Sequence, residues 1–175
     1  MPRVEIDLNP VTHIITDAIG KPGERTFYIQ AWQDDRVVSI LVEKVQIQTL
    51  AIGIEQFLSE LTTRYPDLPQ ASEKFDEEKM HIHPPVDPIF RVGELGLAYD
   101  ADQDLLILVA REVQGEGINP EETGVVRFWC TRSQLRVLGK WGLEISGRGR
   151  PICPQCGEPM EPEGHFCPKR NGHKH

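Results

Sequence analysis

Three cysteines and a histidine near the end of the sequence carry its clearest chemistry. In Cys153-Pro154-Gln155-Cys156-Gly157 a C-x-x-C turn points two thiols at one centre, and the glycine after the second lets backbone N–H groups approach the sulfurs. Gly164-His165-Phe166-Cys167-Pro168 adds an imidazole and a third thiol. Cys153, Cys156, His165 and Cys167 can therefore close a tetrahedron around zinc, with His173 or His175 as alternatives to His165 for the fourth place. The competing reading is a disulfide or free thiols. Three thiols cannot pair evenly, and a reducing compartment disfavours the disulfide. Thioredoxin-like redox use is disfavoured because this C-x-x-C lies between prolines rather than at a helix start. Four protein ligands leave no open coordination position, so the expected zinc is structural, ordering a ribbon-like knuckle too short to fold alone.

Other chemistry-bearing residues read more plainly. Cys130, inside the apolar run VVRFWC, reads as core. Asp100, Asp102 and Asp104 resemble the opening of a calcium loop, but Leu105 and Arg111 stand where Gly and Glu are required, leaving a hairpin turn. His81 and His83 read as exposed residues of a connector rather than as a second metal site. Gly20 to Thr26 lacks the phosphate-loop pattern, and no G-x-S-x-G or H-E-x-x-H is present. A pocket between the halves of the chain could still use Arg25, Arg91 or Arg111 to hold an anion, and His13 or Asp17 to move protons.

The 175 residues allow one main domain and a small appendage. No apolar run approaches the roughly 20 residues of a membrane span, and MPRVEIDLNPVTH does not read as a signal peptide. A net charge of −8 repels phosphate backbones, which disfavours nucleic acid as a partner. Residues 151–175 hold five of the 14 prolines and three of the four cysteines, and their charges cancel. That composition shift predicts a domain over 1–150 followed by a zinc-binding tail over 151–175.

Within the domain, Val11–Ile19, 26–32 and 36–42 predict three strands, and Ile47, Leu50, Ala51, Ile54, Phe57, Leu58, Leu61 and Tyr65 form one stripe of a helix running from Lys44 to before Pro66. Residues 66–89, with five prolines and an acidic run, predict an exposed connector. Phe90–Tyr99, Leu105–Val113 and Val125–Cys130 predict three more strands. Thr131 and Gln134 then match a capping box that opens a second helix, reaching about Ile145. Both halves, 1–65 and 90–150, thus have the order βββα. At an offset of 88 residues Lys44 falls on Arg132, Gln46 on Gln134 and Leu50 on Leu138. The expected fold class is α+β: an antiparallel sheet with two helices over one face, built by internal duplication.

GKPGERTFYIQA at 20–31, VEKVQIQTLA at 42–51, FRVGELGLAYD at 90–100 and CPQCGEPMEPEGHFCPKRNG at 153–172 resemble the uncharacterised bacterial domain-of-unknown-function family 3090 across nearly the whole chain. The matching positions are Gly20, Pro22, Gly23, Arg25, Thr26, Phe27, Cys153, Cys156, His165, Cys167, Asn171 and Gly172. The family pattern ends soon after the Asn-Gly pair, whereas His173-Lys174-His175 follow here, which tells against a ligand role for His173 or His175. The resemblance implies no established activity. The leading expectation is a non-catalytic cytoplasmic binding or adaptor protein with structural zinc and another protein as partner, with homo-oligomers open. The alternative is a small-molecule enzyme or ligand sensor acting on a phosphorylated or anionic metabolite.

Overall fold

The computed structural model describes residues 4–21 and 23–148. Among the described residues seven strands and two long helices follow in the order β1 (Glu5–Leu8), β2 (His13–Ile19), β3 (Thr26–Gln33), β4 (Arg36–Val42), α1 (Lys44–Arg64), β5 (Val92–Asp100), β6 (Leu105–Glu112), β7 (Val125–Cys130) and α2 (Arg132–Gly147). The α+β class agrees with the sequence. The single antiparallel sheet does not: the strands form an antiparallel meander β2-β3-β4 and a mixed sheet β1-β7-β6-β5. In the second sheet β1 runs parallel to β7. Glu5–Leu8 does alternate acidic and apolar residues, but four residues is the shortest run from which alternation argues a strand, and only Ile6 among them is β-branched. Its place comes from distant partners: Arg127 reaches Glu5 and Asp7 at 3.1 and 3.3 Å.

Alternation along the strands explains which face is buried. Cross-strand register puts Ile14, Ala31 and Val38 in one row and Thr16, Ile29 and Ile40 in the next, all buried. Leu106 with Cys130 and Leu108 with Phe128 do the same in the other sheet. Cys130 is thus core, as its setting suggested, and burial pushes its thiol pKa up. The α1 stripe is buried at Ile47, Leu50, Ala51, Ile54 and Leu61. In α2 the buried residues include Leu135, Leu138, Trp141 and Ile145.

The two sheets meet at two backbone seams. Val11 N donates to Trp129 O (2.8 Å), and Leu41 N donates to Phe90 O (3.0 Å). Each helix packs on the first strand of the other half's meander, α2 on β2 and α1 on β5. The N-terminal glutamines reinforce this exchange. Gln46 Oε1 accepts from Glu43 N (2.8 Å), while its Nε2 donates to Val92 O (3.1 Å) at the start of β5. Gln134 Oε1 accepts from Thr131 N (2.8 Å), while its Nε2 reaches Val11 O (3.4 Å) just before β2.

The helices cross antiparallel and very close. A Cβ at Gly139 would lie 3.3 Å from Ala51 Cα, and one at Gly142 would lie 2.6 Å from Ile47 Cγ2 and 3.5 Å from Thr16 Cγ2. A methyl group on the branched Cβ of buried Ile47 cannot swing aside. Gly142→Ala is therefore expected to lower stability by about 1–2 kcal/mol, overpacking outweighing the roughly 1 kcal/mol that alanine adds to helix propensity. Urea midpoints should show the loss, and Ile47→Ala should absorb part of it, giving less than additive effects in the double variant. A stabilised Gly142→Ala, or strict additivity, would contradict this packing.

Candidate functional site

The predicted zinc ligands Cys153, Cys156, His165 and Cys167, with His173 and His175, lie outside the described residues. Among the described residues no group of three or more metal-ligating side chains comes together.

The three arginines expected to hold an anion are placed apart. Arg25 sits beneath the C-terminus of α2, where its Nη2 donates to Ile145 O (2.7 Å) and to Arg148 O, and its guanidinium lies 5.1 Å from the Phe27 ring centre. It satisfies carbonyls that a helix end leaves unpaired. Burial lowers its pKa, and the charge of Asp17 opposes that. Arg91 is exposed and bridges β4 at Leu41. Arg111 is exposed on β6, opposite Glu94 and Val125.

His13 and Asp17 are occupied by the connector. Although largely exposed, residues 66–89 bury Ala71 and Met80 and hold a 3-10 turn at Glu77–Met80. His13 Nε2 donates to Lys79 O (2.7 Å) and its ring stacks on Trp32 at 5.6 Å. Asp17 Oδ2 accepts from Ile82 N (2.9 Å). The buried Gln30 amide binds the His83 backbone in both directions, at 2.8 and 3.0 Å. His81 lies edge-on to Trp141 with its Nδ1 3.5 Å from Asp17, and His83 lies edge-on to Trp32.

Along α2 the same connector is held by two arginines that sequence reading passed over. Arg132 makes a two-point contact with Asp104 (2.9 and 3.1 Å) and donates to Pro69 O. Arg136 grips Glu55 from α1 and Glu73 from the connector, and donates to Ala71 O (2.8 Å). Their side chains are only 12% and 14% exposed. Planar guanidinium groups suit such multipoint contacts with carboxylates and carbonyls. Their i,i+4 spacing in α2 was the available signal.

A groove of about 540 Å³ lies open between α1 and β5, lined by Val45, Thr49, Gly53, Phe57 and the Gly93–Leu97 segment. Phe57 links it to a second opening of about 650 Å³ that includes Tyr65 and Tyr99. Val45 is 63% exposed. At mid-helix, Gly53 costs about 1 kcal/mol relative to alanine, yet nothing lies within 4 Å of where its Cβ would stand. β5 is also the end strand of its sheet, so one edge carries backbone groups without ladder partners. Arg25, Arg91 and Arg111 line neither opening.

A family model described as protein of unknown function (DUF3090) matches residues 6–167. None of the curated proteins and none of the solved structures matches the chain.

Titration should expose the Tyr99–Asp104–Arg132 network. Arg132 holds the Asp104 carboxyl below its ordinary 3.8, while burial and the hydrogen bond to Asp104 push Tyr99 from 10 up to about 12. The depressed Asp104 contributes stability that is present above its unfolded pKa and lost as pH falls through the folded one. The raised Tyr99 contributes stability that is present below pH 10 and lost as pH rises toward 12. Asp104→Asn should therefore flatten the acid limb of urea stability, and ultraviolet titration should show Tyr99 ionising earlier. An unchanged acid limb and phenolate curve would refute the coupling.

Proposed function

We propose, for a chain that belongs to the DUF3090 family, a non-catalytic binding or adaptor role in which Cys153, Cys156, His165 and Cys167 hold one structural zinc and the tail forms part of a surface for another protein. What carries this reading is how the chemistry-bearing residues are distributed. Arg25, His13 and Asp17 spend their polar atoms on a helix end and on the connector. Three thiols and an imidazole, by contrast, stand together in a short segment with the donor chemistry of a closed zinc site. The family match ends at Cys167, so it includes all four proposed ligands and excludes His173 and His175, which favours His165 as the fourth. Thiolate ligation fits a reducing, cytoplasmic setting.

The domain is read as two copies of one βββα unit, 1–65 and 90–150, joined by 66–89. In support, the offset of 88 places the first residue of α1 on that of α2 and the last of β4 on the last of β7. Gln46 and Gln134, at matching positions, each brace the strand entry of the opposite half.

Elemental analysis of the untagged protein beside a Cys153→Ser/Cys156→Ser variant tests the metal. About one zinc per chain is expected, lost in the variant while the circular dichroism of the body persists. No zinc in the wild type, or an exchangeable metal required for turnover by the purified protein, would overturn the proposal.

A further inference from the structure

We infer that the groove between α1 and β5 is the docking site of this chain's own residues 149–175. The inference rests on the proposed duplication and holds whether or not the tail carries zinc.

The argument starts from what the connector does after α1. It passes the first turn of α2, where Ser72 N donates to Ser133 Oγ (2.9 Å). Phe75 and His81 then pack edge-on against Trp141, and Arg148 covers that ring at 5.0 Å while pairing with Glu77. Lys79 and Ile82 finally bond to His13 and Asp17 of β2, the strand that ends its own sheet. The groove between α2 and β2 is thus filled by the segment that follows the other helix.

At the offset of 88, Ser133 corresponds to Val45 and Trp141 to Gly53, and both Val45 and Gly53 line the open groove. β5 corresponds to β2 as the first strand of a meander and the end of a sheet. The open groove is therefore the counterpart of the filled one, and the segment in the corresponding chain position is the one that follows α2. Because the helices are antiparallel, α2 ends beside the first turn of α1, where Gly142 meets Ile47 and the groove begins at Val45. Residues 149–175 slightly exceed the connector in length, carry Ile152, Met160 and Phe166, and include three acidic residues in a segment that also holds basic ones. Gly53 leaves room for a bulky side chain from the arriving segment, where α2 instead supplies Trp141 to its own connector.

The test places a photo-crosslinking amino acid at Thr49 in the full chain, with an exposed α2 position, Leu143, as control. Isotopically light and heavy copies are mixed before irradiation, and cross-linked peptides are read by mass spectrometry. Cross-links from position 49 to residues 149–175 of the same copy, several-fold above the control, are expected, and Gly53→Trp should suppress them by filling the groove. Cross-links between light and heavy copies would assign the groove to a second molecule and overturn the inference. Cross-links absent or equal to the control would also overturn it. Metal content measured on the same samples keeps the zinc proposal separate, since a tail without zinc can still cross-link and a zinc-loaded tail can fail to.

Discussion

The close crossing of α1 and α2 sets the dimensions of everything around it. Gly139 and Gly142 bring the helix backbones together over Ala51 and Ile47, and a helix bears roughly 1 kcal/mol for each glycine placed in its interior. The return is a short interhelical distance. It lets α2 rest on β2 and α1 on β5, and it brings Gln46 and Gln134 within reach of the strand entries at Val92 and Val11. A wider crossing would leave those carbonyls and the helix N-terminal donors with poorer partners.

The connector is the second consequence. Once each helix lies on the opposite half, the chain leaving α1 must travel along α2, and it does so over a surface supplied with groups to hold it. Arg132 and Arg136 take its carbonyls, Gln30 and Asp17 take its N–H groups, and Trp141 takes its rings. Buried or half-buried polar side chains that could suggest catalysis are thereby matched with backbone, as buried polar groups require. The α1 side presents Val45, Gly53 and a strand edge, and among the described residues nothing covers them.

Local periodicity made most of the fold legible. Val125–Cys130 and Arg36–Val42 are the strands the β-branched runs predict, and α1 starts at Lys44 and ends at Arg64, just before Pro66 as expected. Thr131 and Gln134 form the expected capping box. What local pattern could not supply was pairing across the chain. The parallel partnership of Glu5–Leu8 with β7 joins residues about 120 apart, and the separation into two sheets depends on seams at Val11 and Phe90. The prolines and acidic residues of the connector describe the exposed path it takes, while the contacts of Met80, His81 and Ile82 belong to whatever lies beneath and leave no local signal. Arg25 drew attention as one of three arginines that could hold an anion, and its contact with the carbonyls became visible only with the C-terminus of α2 beside it.

Amide hydrogen exchange of the full chain across a series of low denaturant concentrations tests the central claim, that the two halves are locked into one cooperative body by the exchanged helices. The slowest amides of β3, around Ile29, and of β6, around Leu106 and Leu108, should converge on one opening free energy, because neither meanders' core survives without the helix of the other half. Two separate limits, with one half opening at distinctly lower free energy while the other stays protected, would contradict it.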